Sequence, residues 1–450
     1  MINAHKVLIL NNKIVRERLR QKKYDDVCLT SWGGLDEFIN FIISFGLLTM
    51  LGQLGVQTGH SGVPYYIMAM MAFIKPLFGI RFDDNIKYLS SDPHVLRLLG
   101  FNLKSIKEGY SKRTKNVDSA PIHPNTLRNF LCKLGYQQTT GLFVKCVKKL
   151  FQLGLLRGHN FNIDTKVIFK DSPGYDFAKK VYDYKGKHKN RRGYKVSIIQ
   201  HVKSKIIVAV IITSANVADK NLLLSTVRQA ITILGPDVIK TLIFDKGFWD
   251  GKTLYKLKYK YGIDFIVPAK TDFISTKRLK KEAKEEDFKT INPGLKIKQV
   301  SALTDAPNYK GHLNAIVVKD KKSKKKRQKN QPVHVYFTSL SWESALAIYQ
   351  AYRQRWAIEN NAIKELCQYW ILEDFHCKKY TAIRAHIIFS IIMFNLHILF
   401  KSKYGRRFKE KSLAAKRAPG FQPSYVIVYA QEYFGIFDIH EYTAIISEPP

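Results

Sequence analysis

The amino-acid sequence predicts an α/β protein: a mixed β-sheet core with helices on its faces, a β-rich insertion within that core, and an all-helical domain before it. Three features of the pattern predict this. From about Leu35 to Leu155 apolar residues recur with helical spacing, and β-branched alternation is scarce. After Gly158 the sequence changes to short β-rich runs separated by helical segments. From about Lys270 to Leu340 polar, lysine-rich sequence breaks that alternation. The expected organisation is a helical, DNA-binding N-terminal domain at 1–155, a core at 156–403 interrupted at 270–340, and a C-terminal tail at 404–450.

In the N-terminal domain the runs Phe38 to Leu51 and Tyr66 to Phe78 read as helices. Further on, Pro124-Asn125-Thr126 precedes Leu127, Phe130, Leu131 and Leu134. Asn125 or Thr126 is therefore placed to cap a short amphipathic helix that stops near Gly135. Such a helix suits a DNA groove or a packing role in a bundle, and the pattern does not choose between them. In the core, Phe161 to Phe169, Tyr194 to Val202, Lys205 to Thr213, Val238 to Phe244 and Ile263 to Val267 read as strands. Asp219 and Asp250 each stand just before a helical segment, Leu222 to Leu234 and Leu254 to Tyr261, where an aspartate is a good N-cap. The insertion adds two strand candidates, Leu313 to Val318 and Val333 to Thr338. A long helical pattern from Glu343 to Trp370 and an apolar one from Tyr380 to Phe400 close the core.

Charge narrows the function. The 450 residues hold 74 Lys and Arg against 36 Asp and Glu, a formal net charge of +38, with 46% hydrophobic residues. That apolar content is enough for sizeable cores and argues against wholesale disorder. The imbalance costs stability through self-repulsion unless a polyanion is near, so nucleic acid or an anionic membrane is the expected partner. The longest apolar run, Ile387 to Phe400, is 14 residues interrupted by Ser390, Asn395 and His397, short of the ~20 that a span needs. Near the start, the apolar run Val7 to Leu10 has no small-residue cleavage pattern after it, so the expected location is the cytoplasm, beside the nucleoid. Five cysteines with no CxxC pair read as reduced thiols, not as a disulfide framework or structural zinc site.

Three acids stand out. Asp164 lies inside the predicted strand Phe161 to Val167, where a carboxylate is costly unless it is paired or holds a cation. Asp245 ends the run Thr241-Leu242-Ile243-Phe244, where it binds a ligand or caps a turn. Tyr352, Arg355 and Glu359 stand at i, i+3 and i+7 of the long helix, so a phenol, a guanidinium and a carboxylate share one face. The alternative for Arg355 and Glu359 is a surface ion pair worth ~0.3 to 0.5 kcal/mol.

With these residues the sequence resembles the DDE transposases of prokaryotic mobile elements, specifically the insertion sequence 4 family and its relatives. The signature helix of that family reads Tyr, two residues, Arg, three residues, Glu, then Lys seven or eight positions on, and Tyr352, Arg355 and Glu359 match it. Asn162-Ile163-Asp164-Thr165 resembles the first-aspartate strand and Phe244-Asp245-Lys246-Gly247-Phe248 the second-aspartate strand end. Gly193-Tyr194-Lys195 and Ala215-Asn216-Val217-Ala218-Asp219 are similar to family strand and turn sequences. The likeness runs from Phe161 to about Phe400, with separations of 81 and 114 residues between successive acids. Where the signature carries its lysine this sequence has Leu366 or Cys367, and the nearest lysine is Lys364.

The resemblance implies a ribonuclease-H-like catalytic core in which Asp164, Asp245 and Glu359 bind two Mg²⁺ (or Mn²⁺) ions, Asp164 bridging them. Water would nick the DNA, and the freed 3′-hydroxyl would then attack target DNA. Tyr352 and Arg355, with Lys364 nearby, would contact phosphates at the element's end. Lys187, Lys189, Arg191, Arg192 and Lys195, in a lysine-rich stretch with interleaved tyrosines, would track the backbone of double-stranded DNA, both terminal inverted repeats and target. The run from Lys319 to Lys329 would do the same or form a solvated loop. Pairing two ends implies a homodimer in the synaptic complex. Two other readings stay open: a catalytically inactive, transposase-derived DNA-binding protein, and a basic RNA-binding protein.

Overall fold

The computed structural model describes residues 9–30, 33–56, 63–80, 124–181, 191–320, 333–341, 344–355, 358–375, 377–408 and 425–448. Within these the strands are β1 (Ile9–Leu10), β2 (Asp26–Thr30), β3 (Asn160–Phe169), β4 (Lys179–Lys180), β5 (Arg192–His201), β6 (Ile207–Ser214) and β7 (Thr241–Ile243). They continue with β8 (Asp264–Pro268), β9 (Lys289–Asn292), β10 (Leu295–Leu303), β11 (Leu313–Asp320), β12 (Val333–Thr338), β13 (Tyr425–Ala430) and β14 (Tyr433–Asp438). The chain divides into two compact units, Met1–Cys146 with Leu366–Pro450, and Val147–Glu365.

The first unit holds the long helix Tyr380–Phe408, against which the helices Gly33–Ser44, Tyr65–Leu77 and Pro124–Lys133 pack. Phe73 meets Phe389 at 4.5 Å between ring centroids, and Phe38 meets Phe400 at 5.1 Å. The apolar helix exceeds the 14-residue run seen in the sequence. Its segment Tyr380–Lys403 is long and apolar enough to cross a membrane, yet 94% of its most apolar window is buried inside the protein. Ser390 and Asn395, which interrupt the run in sequence, are themselves fully buried on this helix.

This unit is not all-helical at its N-terminal end, and residues 404–450 are not a simple tail. β1, β14, β13 and β2 form a four-stranded sheet in that order, with Val27, Cys28 and Leu29 opposite Val428, Ile427 and Val426. Val15 and Leu19 of the helix Asn12–Arg20 pack on Val426, Val428 and Phe437. A short strand whose partner lies some four hundred residues away leaves little local pattern, because its preference for extended backbone is set by the neighbour it packs on.

The second unit is built on a sheet of ten described strands in the order β4-β5-β3-β7-β8-β12-β11-β10-β9, with β6 also pairing β5. β3–β7 and β7–β8 are parallel and the other pairs antiparallel. The strands of the expected insertion extend this same sheet, since β12 pairs with β8 with Phe337 opposite Val267. One face is covered by the helix Asp219–Leu234, where Ser197 and Thr226 hydrogen-bond at 3.0 Å. The helix Ala345–Gln354 covers the other, packing Ile348, Tyr349 and Tyr352 on Ile243, Ile266 and Tyr336. Gly193 is required where β5 crosses β3, because a Cβ there would lie 1.9 Å from the Ile168 carbonyl oxygen.

Asp250 caps the helix Gly251–Tyr261 as its position predicts, accepting from the Thr253 N–H. Asp219 does not cap. The cap is Ala218, and Asp219 is the first helical residue, its carboxylate turned to the Lys195 ammonium at 2.8 Å and the Thr165 hydroxyl at 3.1 Å. The expected helix Glu343 to Trp370 is broken into an α-helix Ala345–Gln354, a π-helical segment Ile358–Ile363 and a short α-helix Lys364–Tyr369. Spacing by 3.6 residues therefore holds from Tyr352 to Arg355 and fails beyond, because a π-turn is wider.

Candidate active site

Two of the predicted acids are set by strand register. β3 and β7 run parallel with Asn160 opposite Thr241, Phe161 opposite Leu242 and Asn162 opposite Ile243. The offset is 81 residues, the same as between Asp164 and Asp245, so each aspartate stands two residues past the last register pair, Asn162 opposite Ile243. Two residues on from Asn162 and Ile243, both side chains project to the face covered by Ala345–Gln354. β7 ends at Ile243 and the chain turns into the 3₁₀ segment Lys246–Phe248, while β3 continues to Phe169 against β5. Asp164 and Asp245 thus lie just past the end of the parallel β3–β7 ladder, and the carboxyl ends of parallel strands are the part of an open α/β sheet where ligands bind.

Their surroundings differ. Asp164 is buried, accepts from the Thr165 N–H at 2.7 Å, and faces the Arg355 guanidinium, with Nη1 3.3 Å from its Oδ2. Arg355 is only 4% exposed and lies over the Tyr352 ring at 5.5 Å. It pairs with Asp164 inside the protein. Asp245 is half-buried, and among the described residues no hydrogen bond or ion pair engages its carboxylate. The π-helical segment carrying the Glu359 backbone packs against β3. The Glu359 side chain lies outside the described residues, and among those no cluster of three metal-ligating groups occurs.

A cavity of about 700 Å³ opens beside Asp245, walled by Tyr336, Tyr349 and Tyr352 with Lys246 and Arg353. Burial raises the Tyr336 phenol above its usual range and pushes Tyr349 up to about 12, so both stay neutral donors. Tyr349 donates to Asp320 at 2.6 Å, and Arg353 reaches the same oxygen at 2.9 Å. His334, also on this wall, is kept neutral by burial and then by Lys280.

The remaining predicted residues scatter. Lys195 is buried and committed to Asp219 and to the Val217 carbonyl at 2.7 Å, so it offers no exposed charge. Arg191 pairs with Asp171 at 2.9 Å and stacks over Phe169 at 3.8 Å. Arg192 and Lys364 are exposed. Lys187, Lys189 and the basic run from residue 321 onward lie outside the described residues. Asp320, which anchors Arg353 and Tyr349, escaped sequence reasoning because the strand was expected to end at Val318, leaving Asp320 inside the lysine-rich run that follows.

Residues 159–396, more than half of the chain, match the sequence profile of the family described as Transposase DDE domain. The chain belongs to this family of DDE transposases. Among solved structures, a piggyBac transposase synaptic complex with hairpin DNA is similar at 12% identity and a TM-score of 0.42, covering 90% of this chain and 78% of that one. A comparison with curated proteins finds no match.

Proposed function

We propose that this chain cleaves DNA at the ends of a prokaryotic insertion sequence of the insertion sequence 4 type and joins the freed ends to target DNA. The observation that supports this is the parallel pairing of β3 with β7, whose last pair, Asn162 opposite Ile243, stands two residues before each of Asp164 and Asp245. Asp164 and Asp245, with Glu359 as the third acid of the family signature, would be a donor set suited to Mg²⁺ or Mn²⁺. Bound there, two such ions would offset the charge that builds on the phosphoryl group and activate the attacking oxygen.

The protein's own groups then have defined tasks. Arg355 holds Asp164 in one rotamer and lowers the cost of keeping it ionised while buried. Lys246 and Arg353 rim the cavity where the strand next to the scissile phosphate would lie, and the tyrosines exclude water from its wall. Arg192 and Lys364 add exposed positive charge for the duplex backbone. Two ends must be held together, so the working form is a homodimer on DNA, acting in the cytoplasm at the nucleoid.

Leu366, fully buried near where the family signature places a lysine, favours a second reading in which the chain binds element ends without cutting them. Labelled duplex carrying the inverted repeats that flank the coding region separates the two. Mg²⁺-dependent nicking by the wild type, lost in Asp164→Asn and Asp245→Asn with binding retained, supports the enzyme. Tight binding with no nicking by the wild type overturns it.

A further inference from the structure

A second cavity, of about 570 Å³, opens elsewhere in the Val147–Glu365 unit and plays no part in the chemistry above. Arg157, His159, His201, Lys203, Lys205 and Gln354 line it, and no carboxylate does. Asn160, also on its wall, lies four residues before Asp164 on β3, about 13 Å along the strand. Among the described residues neither Arg157, Lys203 nor Lys205 has an ion pair or side-chain hydrogen bond, whereas Lys195, Lys296, Lys298 and Lys319 of the same sheet are paired with acids.

The cations are held on a rigid frame. His201 and Ile206 close the β5–β6 turn, His201 N–H donating to the Ile206 carbonyl at 2.9 Å. The Ser204 N–H donates to His201 Nδ1 at 3.1 Å, which fixes that nitrogen as an acceptor and the ring as neutral. Burial lowers the His201 imidazole below its ordinary value, against the opposing hydrogen bonds of the Gly158 and Arg157 backbone, and Lys205 and Lys203 add smaller repulsions in the same direction as burial. His201 is thus the strut of the turn, and the two lysines supply its charge. Lys205 is half-buried with a left-handed backbone, φ 66°, and burial lowers its ammonium below the usual range. A desolvated ammonium with no counter-ion is costly and is relieved by an incoming anion.

We propose that this cavity is a phosphate-binding site, separate from the three acids, in which Lys203, Lys205 and Arg157 take the oxygens of a phosphate group. Phosphate reaches it as a diester in a nucleic-acid backbone or as free inorganic phosphate, and the experiment distinguishes these sources. The proposal concerns binding alone and does not depend on whether the chain cuts DNA.

The test uses the full chain, the double variant Lys203→Gln/Lys205→Gln, and Arg157→Gln on a separate segment in case the turn is disturbed. Binding of a random-sequence 16-bp duplex is followed by anisotropy from about 50 to 200 mM salt. Each DNA phosphate that a variant no longer neutralises lowers the slope of log K against log salt by about 0.9, so the double variant is expected to lose about 1 to 2 in slope, with several-fold weaker binding at the lower salt. In parallel, inorganic phosphate at constant ionic strength is scored by the rise in Tm of the wild type over the variants. A loss of slope without a Tm difference assigns the site to the nucleic-acid backbone, and a Tm difference without slope loss assigns it to free phosphate. Either supports the proposal, as do both together. Unchanged slope and unchanged Tm response in both variants overturn it.

Discussion

Asp164 and Asp245, 81 residues apart in sequence, each stand two residues past the last pair of the parallel β3–β7 ladder, Asn162 opposite Ile243. Asp164 is braced by Arg355, and the Asp245 carboxylate has no described partner. One acid is held in place by the fold, and the other is open to a ligand.

That asymmetry separates the two Asp→Asn variants. Both are expected to lose cleavage, but only Asp164→Asn costs stability, by about 2 kcal/mol, because it strips a buried guanidinium of its charge partner. Asp245→Asn should stay within about 0.5 kcal/mol of wild type. Urea unfolding at neutral pH measures both, and equal losses would place Asp245 in a structural pair as well.

Arg355 is expected to act through Asp164. In a double-mutant cycle with Asp164→Asn and Arg355→Met, the coupling energy should be about 1 to 3 kcal/mol. Additive effects would remove Arg355 from any positioning role and return it to the phosphate contact that its place in the signature helix suggests.

Gly193→Ala should lower stability by about 3 kcal/mol, since the new methyl group would overlap the Ile168 backbone and β5 must move off β3. A thermal melt decides this. The variant also tests the site, because β3 carries Asp164.

Stability should fall as pH drops below about 6.5. His201 and His334 are held below their ordinary value by burial, so the unfolded chain takes up their protons first. The stabilisation is complete above 6.5 and is lost as the pH descends through the folded values. Urea midpoints between pH 7.5 and 5 in wild type and in His201→Gln/His334→Gln check it, the double variant being the flatter.

Cys132 should resist iodoacetamide at pH 8 in the folded protein. Burial, then its contact with Cys377 at 3.4 Å, pushes its thiol up to about 12, leaving little thiolate to react. Peptide mass analysis before and after unfolding in urea reads the difference.

Local sequence determined the elements whose cause is local. β3, β5 and β6 follow from runs of β-branched and aromatic residues, and Asp250 caps its helix because its side chain needs only the next turn. The two aspartates could be named because a charged residue within or ending an apolar strand needs a reason to be there. What the sequence alone could not decide was long-range. Asp219 faces Lys195 and Thr165 instead of its own helix end, since an ion pair with a buried lysine outweighs a cap. The helix after Tyr352 opens into a π-turn over β3, and the two chain ends meet in one small sheet. Local propensity is a property of neighbours in the chain, whereas register, burial and charge pairing belong to neighbours in space. For this protein the first named the acids, and the second set two of them just past the end of one parallel ladder.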